Sequence, residues 1–263
     1  MRKPYRVARA LFLLCLASPL GLAWLPADWL QLGLDPDFQA LLQSSFRQLS
    51  ITLAATLALA TALTVALGYV SVLWQRFGRT GSSILKAVES VPAILVALFC
   101  YAPVSGYLAR HSSEASQLVS LVVFILAATL TMLPESVRGV AIPLGDLYHR
   151  KYSLSFRSYG FTKRRILAVL MASQTMRGTL KRIAAGILLK TLVLDCSFGF
   201  IIQLGFGSYG TPAHASPGAL IAANRDALFE GGTPLLFWLP SLLLVAISTS
   251  FLLTLADRVE AAA

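Results

Sequence analysis

Three ionisable side chains stand within long apolar stretches of the sequence, where a charge is costly. Glu89 lies a few residues into one stretch, and Lys190 and Asp195 lie within another. Charged residues inside a membrane usually face a water-filled cavity or an opposite charge, and many belong to transport paths. The long side chain of Lys190 could instead reach the headgroups, and the sequence favours neither role. Asp195 is too short for that, so we expect it to face a wet cavity or a charge on a neighbouring helix or subunit.

Pro92 follows Glu89 by three residues and removes one backbone hydrogen bond from its apolar stretch. It predicts a bend there, which could be purely structural or could border a path. Lys190 and Asp195 differ by five positions, about 140° around a helix, so we do not expect them to pair. Glu89, Pro92 and Asp195 are therefore our candidates for a translocation path.

A second pattern lies in a polar and strongly basic stretch. Its aromatic residues are spaced i, i+4, i+8 and i+11, which places them on one side of a single helix over 144–159. Gly160 follows, as a helix-ending glycine would, and a second helix begins at Thr162. The first helix could lie at the membrane surface or dock into a groove on a cytosolic partner, and the periodicity favours neither. The aromatic residues are Tyr148, Tyr152, Phe156 and Tyr159.

Motifs of several other chemistries are absent from the sequence. No Gly-x4-Gly-Lys-Ser/Thr occurs, so the chain has no P-loop for ATP phosphates. No Ser-His-Asp, Cys-His or paired-carboxylate arrangement stands out for catalysis. The three cysteines lie far apart in apolar segments, and the three histidines lack metal-binding spacing. We therefore expect no enzymatic activity in this chain, no metal and no cofactor. These residues are Cys15, Cys100, Cys196, His111, His149 and His214.

The composition is that of an integral membrane protein. The 263 residues are 56% hydrophobic and only 13% charged, whereas a soluble domain has roughly 25% charged residues. So few charges could not cover the surface of a soluble chain of this size. The composition excludes a soluble enzyme and a disordered tail. The net charge of +10 does not indicate nucleic-acid binding, because the basic residues are distributed by membrane side.

Apolar runs predict six membrane-spanning helices. We expect the first run to be a retained helix rather than a cleaved signal peptide, because no clean cleavage site follows it. Pro134 is expected to end the fourth span. The runs are Ala10–Leu25, Leu49–Leu73, Ile84–Leu108, Gln117–Pro134, Ile183–Leu204 and Thr233–Ala256.

The basic residues give this topology a direction. With the N-terminus in the cytoplasm, eighteen Lys and Arg lie inside and only three lie outside, which predicts that both termini are cytoplasmic. The outside residues are Arg47, Arg110 and Arg225. The inside residues are Arg2, Lys3, Arg6, Arg9, Arg76, Arg79, Lys86, Arg138, Arg150, Lys151, Arg157, Lys163, Arg164, Arg165, Arg177, Lys181, Arg182 and Arg258.

The second span carries small residues in two rows, which lets helix backbones approach closely inside a bundle. One row consists of Ala54, Ala58, Ala62 and Ala66, and the other of Thr56, Ala60, Thr64 and Gly68.

The basic stretch resembles the Glu-Ala-Ala-x3-Gly loop of permease subunits in bacterial ABC importers. Leu154, Ser155 and Phe156 stand at the Glu-Ala-Ala positions, Gly160 at the glycine, and the basic run Arg164-Arg165-Ile166-Leu167 is retained. In that family this loop forms the coupling helix that docks into the ATPase subunit. The resemblance implies that role for Tyr148, Tyr152, Phe156, Tyr159 and Gly160.

Three other segments resemble the dipeptide, oligopeptide and nickel permeases of that family. The second span, followed by Gln75-Arg76-Phe77-Gly78-Arg79 and then by Val88-Glu89-Ser90-Val91-Pro92-Ala93-Ile94-Leu95, is similar to its second and third helices. Leu204-Gly205-Phe206-Gly207, followed by Ser216-Pro217-Gly218, is similar to its Leu-Gly-x-Gly loop, with Pro217 at the place of a tryptophan. The closing Leu255-Ala256-Asp257-Arg258 is similar to its C-terminus. The resemblance covers roughly residues 48–260.

The resemblance implies an all-α bundle of the six-helix, type I ABC importer kind in the bacterial inner membrane. Residues 1–47 would form a tail, the first helix and an external segment, and residues 48–260 a permease core with a coupling loop at 144–165. The implied partners are a second homologous permease, two ATP-binding subunits, an external solute-binding protein and the lipid bilayer. Peptides or related small solutes are the implied cargo, with nickel or a metallophore as an alternative. A self-sufficient secondary transporter or channel, or a membrane scaffold, is the rival class.

Overall fold

A computed structural model describes residues 18–25, 35–74, 83, 87–108, 114–206, 216–229 and 233–260. Short helical turns lie at 18–22 and 87–89, and a 3-10 turn spans Arg225–Leu228. Within these ranges the chain contains helices and no β-strand. The longer helices are α1 (Pro36–Leu73), α2 (Ala93–Leu108), α3 (Glu114–His149), α4 (Lys151–Ser158), α5 (Lys163–Met171), α6 (Gln174–Phe206), α7 (Pro217–Ala223) and α8 (Leu235–Glu260).

Among the described residues, four helices contain stretches that are long and apolar enough to cross a membrane. They belong to α1, α3, α6 and α8, and α2 contributes a shorter apolar helix over Ala93–Pro103. The predicted class, an all-α multi-pass membrane protein, is therefore confirmed. Half of the predicted first span, residues 10–17, lies outside the described residues, so the count of six spans stays a prediction. The four long stretches are Pro36–Leu73, Leu118–His149, Gln174–Gln203 and Leu235–Leu253.

α1 begins well before the apolar run that predicted the second span. The side chain of Asp35 accepts a hydrogen bond from the amide of Asp37 at 3.4 Å, and Pro36 occupies the first helical position. The 38 residues of α1 correspond to about 57 Å, nearly twice the hydrocarbon thickness of a bilayer. The apolar run Leu49–Leu73 predicted only the part of α1 that is hydrophobic enough to lie in lipid, and the helix extends N-terminally from that run to Pro36.

Two proline predictions need correction. α3 runs through Pro134 and Pro143 to His149, so Pro134 does not end the fourth span. Beyond Pro134, Val137, Val140 and Leu144 are fully buried, and this packing offsets the hydrogen bond that proline removes. Pro92 does not bend a continuous helix either. The chain leaves helical geometry at Ser90 and Val91, and the carbonyl of Pro92 accepts the first bonds of α2, from Leu95 at 2.9 Å and Val96 at 3.3 Å.

The buried side chains form three layers along the bundle. The first, around Val140, Leu144, Ile166 and Leu167, joins α1, α3, α5 and α6 at what we call the basic end, the end that carries residues 138–182. The middle layer joins α1, α2, α3 and α6. The third layer joins the turn at 18–22 with α1, α6, α7 and α8 at the opposite end. The middle layer contains Ala60, Ala97, Tyr101, Phe124, Ala127, Ala128, Met132, Ile187, Leu194, Phe198 and Ile202.

Aromatic rings hold the middle layer together. Tyr101 of α2 meets Phe198 of α6 edge to face with centroids 5.1 Å apart, and Phe124 of α3 lies 5.0 Å from the same ring. Ser120 of α3 hydrogen-bonds the hydroxyl of Tyr101 at 3.1 Å, which satisfies a phenol buried among apolar groups. Three helices are thereby fixed around Phe198.

One of the two predicted small-residue rows is a packing seam. Thr56, Ala60, Thr64 and Gly68 are all buried on α1. A β-carbon at Gly68 would lie 2.7 Å from the Cγ1 of Val140, so α1 and α3 approach as closely as glycine allows. The other row, Ala54, Ala58, Ala62 and Ala66, is exposed on the surface of this chain.

α7 packs even more tightly against α6. A β-carbon at Gly218 would overlap the carbonyl oxygen of Cys196, and one at Gly199 would overlap the hydroxyl of Ser216. Ser216 caps α7 by accepting a bond from the amide of Ala219 at 3.3 Å, and both Ser216 and Pro217 are buried. The segment 216–223 therefore belongs to the core of the opposite end.

Candidate functional site

The prediction of a single helix over 144–159 is wrong, because the helix is interrupted at Arg150. α3 ends at His149, Arg150 is extended (φ −70°, ψ 157°), and α4 starts at Lys151. Side chains of α4 compensate the carbonyls that α3 leaves without helical partners. The hydroxyl of Ser153 donates to the carbonyl of Leu147 at 2.8 Å, and the guanidinium of Arg157 donates to the carbonyl of Tyr148 at 2.8 Å.

Tyr148 consequently lies at the hinge between α3 and α4 and packs against the core layer of the basic end. The guanidinium of Arg157 lies 3.9 Å from its ring centroid, and the ammonium of Lys163 lies 5.5 Å away. Both are cation–π contacts that tie the two sides of the hinge together. The structure therefore separates Tyr148 from the exposed aromatic residues. The side chain of Tyr152 lies outside the described residues.

Phe156 and Tyr159 do form an exposed surface, together with one residue that periodicity did not select. Phe156 is 38% exposed and Tyr159 is 79% exposed, and Phe161, whose ring contacts Phe156, is exposed as well. We call Phe156, Tyr159 and Phe161 the aromatic patch. An exposed cluster of large apolar side chains is typical of a binding surface or of contact with a membrane.

Gly160 shapes this patch. It has φ +77°, which is the left-handed conformation predicted for a helix-ending glycine. Its amide donates to the carbonyl of Arg157 at 3.0 Å, and the amide of Phe161 donates to the carbonyl of Phe156 at 3.1 Å. These two bonds form a Schellman motif, which turns the chain back so that Phe161 contacts Phe156. The glycine after the aromatic run was the sequence signal for this reversal.

The patch belongs to a strongly basic part of the chain. The stretch 136–182 contains ten Lys and Arg and one acidic residue, Asp146. Arg165 lies over the ring of Phe161 at 5.0 Å, so part of this charge borders the patch directly. The basic residues are Arg138, Arg150, Lys151, Arg157, Lys163, Arg164, Arg165, Arg177, Lys181 and Arg182.

Glu89, the first path candidate, forms an ion pair with Arg138 of α3. One turn earlier on α3, Glu135 forms an ion pair with Lys190 of α6. Lys190 therefore binds a carboxylate on a neighbouring helix, and does not pair with Asp195. The four side chains are between 36% and 66% exposed in this chain. Glu135 and Arg138 were not predicted to belong to the site, because their partners lie 55 and 49 positions away in the chain and leave no pattern within one helix.

Asp195, the third path candidate, has different surroundings. Its side chain is 1% exposed, and its neighbours on α6, Leu194 and Cys196, pack in the middle layer and in the layer of the opposite end. The carboxylate is thus enclosed between two core layers, whereas the side chain of Glu89 is 41% exposed. The proposed role of Asp195 in a path stays a prediction.

No protein-family model matches the chain, and no curated protein matches it either. The described residues define the class: a helical, multi-pass membrane protein with an exposed aromatic patch at its basic end and with the ion pairs Glu89–Arg138 and Glu135–Lys190.

Proposed function

We propose that the chain is the membrane-spanning permease subunit of an ATP-driven importer in the bacterial inner membrane. The observation that carries the proposal is the aromatic patch, which a Schellman turn presents between α3 and α6 at the basic end. A permease without a nucleotide-binding motif needs a surface that receives force from a cytosolic ATPase. The patch fits that role because it is apolar, exposed and held by backbone hydrogen bonds.

The distribution of charge supports a cytoplasmic position for the patch. Basic residues accumulate on the cytoplasmic side of membrane proteins, and the ten that accompany the patch would place it where ATP is available. An importer of this kind would contain two ATP-binding subunits, one for each permease subunit.

The exposed alanine row of α1 supports pairing with a second, homologous permease. Small residues repeated every four positions allow close contact between helices in lipid, where no hydrophobic driving force acts between them. The buried row of α1 packs against α3 within this chain. The exposed row of Ala54, Ala58, Ala62 and Ala66 can therefore contact a helix of another subunit.

The two ion pairs support a water-accessible interior near the basic end. Half-exposed charges are costly against lipid, so the faces of α3 and α6 that carry Glu135 and Lys190 would border a wet cavity or a partner subunit. Alternating access would open and close this cavity as the ATPases bind and hydrolyse ATP. At the opposite end, residues 205–230 would receive cargo from an external solute-binding protein.

Peptides or related small solutes are the proposed cargo, and nickel or a metallophore is the alternative within the same class. The rival class is a secondary transporter or channel that works alone. It gives no role to the aromatic patch.

Purification of the tagged chain in mild detergent from its native membrane tests the proposal. Mass spectrometry should identify a protein with a P-loop and a second permease in the complex, and the complex should hydrolyse Mg-ATP. A chain that purifies alone and still transports solute after reconstitution would contradict the proposal and support the rival.

A further inference from the structure

Two hydrogen bonds connect the start of α5 to the last turns of α1. The ammonium of Lys163 donates to the carbonyl of Leu73 at 3.0 Å. The hydroxyl of Tyr69 donates to the carbonyl of Arg164 at 2.9 Å. The residues of the two pairs are 90 and 95 positions apart in the chain, so these bonds join helices that are distant in the sequence.

The bond from Lys163 has a clear electrostatic basis. The last four carbonyls of a helix lack helical partners, and the C-terminal end of a helix attracts positive charge. α1 has no basic residue in its own last turn, and Leu73 is its final residue. Lys163 therefore supplies from another helix the positive charge that the end of α1 lacks.

Lys163 also contacts the hinge that carries the aromatic patch. Its ammonium lies 5.5 Å from the ring of Tyr148, and Arg157 of α4 lies over the same ring at 3.9 Å. A continuous set of contacts thus runs from α4 through Arg157, Tyr148 and Lys163 to Leu73 of α1. Beneath it, Ile166, Leu167 and Leu170 of α5 pack with Tyr69, Val72 and Leu73.

We infer that Lys163 and Tyr69 are positioning residues that fasten the patch-bearing unit, α4 and α5, to α1. The inference rests on the proposed function, in which a partner moves the patch. Apolar side chains at the α1–α5 contact can repack as the helices slide, whereas the two hydrogen bonds fix one register between them. When the patch moves, α1 would then move with it. α1 in turn packs against both α3 and α6.

Hydrogen–deuterium exchange on the purified complex tests this inference without knowledge of the cargo. The wild-type complex would be compared with Tyr69→Phe and Lys163→Met, each nucleotide-free and with Mg-ATP plus vanadate. In the wild type, exchange should respond to nucleotide both at 151–161 and at 68–74. In both variants, the response at 151–161 should remain, and the response at 68–74 should fall by about fivefold or more.

Two further variants separate positioning from general loss of structure. Lys163→Arg keeps a cationic donor and should restore the response at 68–74. Lys181→Met removes an exposed lysine of the same basic end and should leave both responses unchanged.

The outcomes distinguish this inference from the proposed function. If Tyr69→Phe and Lys163→Met respond at 68–74 like the wild type, the fastening role is wrong and the proposed function stands. If Tyr69→Phe loses the exchange response at both 151–161 and 68–74, the inference is also wrong. The aromatic patch would then need the hydrogen bond between Tyr69 and Arg164 in order to bind the ATPase at all. A wild-type complex that contains no ATPase and shows no response at 151–161 would overturn the proposed function together with the inference.

Discussion

Phe161 folds back onto Phe156, with ring centroids 5.8 Å apart at an interplanar angle of 89°. The amide of Phe161 also donates to the carbonyl of Phe156 at 3.1 Å, so these two residues contact each other through both their backbones and their side chains. Gly160 makes this reversal possible because it takes φ +77° at no steric cost. The patch is therefore preorganised, and a partner that binds it would not have to order these side chains first.

Replacement of Gly160 by valine should disrupt the patch through the backbone. A β-branched residue in the left-handed region costs about 1–3 kcal/mol, so the turn should open and Phe161 should leave Phe156. The chain should still insert in the membrane, because no long apolar helix is altered. ATPase co-purification should fall, while Gly178→Val, at a helical glycine with open space around it, should retain the ATPase. Full co-purification with Gly160→Val would refute the role of the turn.

The topology prediction concerns the side of the membrane on which the basic end lies. A cysteine introduced at exposed Arg150, in a chain without its native cysteines, should react with a membrane-impermeant maleimide only after the cells are opened. A cysteine at Phe229, which is 84% exposed at the opposite end, should react in intact cells. Labelling of position 150 in intact cells would reverse the proposed orientation.

The contact between α6 and α7 should be intolerant of even one methyl group. Gly218→Ala would place its β-carbon 2.6 Å from the carbonyl carbon of Cys196, so the helices must separate. Overpacking of this kind typically costs about 1–3 kcal/mol, which should lower the melting temperature of the detergent-solubilised protein. Gly186→Ala adds the same methyl group where nothing lies within 4 Å and should leave the melting temperature unchanged or raise it. Equal melting temperatures for the two variants would contradict this packing.

Asp195→Leu should impair assembly of the complex or uptake of a peptide mixture. Burial of a carboxylate inside a membrane protein is energetically costly, so the presence of Asp195 implies that the protein requires this side chain for function or for structure. Subunit content after purification and uptake into proteoliposomes would measure the two effects separately. Leu192→Val, a mild change at a buried neighbour, should affect both much less. Unchanged assembly and unchanged uptake would remove Asp195 from the path.

Patterns that depend on neighbouring residues of one helix were readable from the sequence. The apolar runs indicated the membrane class, one of the two small-residue rows of α1 indicated a close helix contact without naming its partner, and Gly160 was recognised as a helix-ending glycine. In each case the physical requirement is local: a length of apolar chain, a missing side chain, or a backbone conformation that few residues adopt.

Features that depend on contacts between distant segments were not readable. The helical periodicity continues through Arg150, and the break there is stabilised by Ser153 and Arg157 bonding carbonyls at the end of α3. Likewise, Pro134 remains inside α3 because the residues after it are buried against α1 and α5. Ion pairing of Glu135 with Lys190 joins positions 55 residues apart, which no single-helix pattern reveals.

The central claim is that the aromatic patch binds an ATPase, and the affinity of that subunit for variant chains tests it most directly. Truncation of an aromatic residue in a well-packed contact typically costs about 2–4 kcal/mol, which corresponds to a loss of roughly 30- to 1,000-fold in affinity. Phe156→Ala in the purified chain should weaken ATPase binding by an amount in this range. Phe229→Ala, the same truncation at the opposite end, should leave ATPase binding unchanged. Equal affinity of the ATPase for the wild type and Phe156→Ala would contradict the claim and leave the patch as a membrane-surface element.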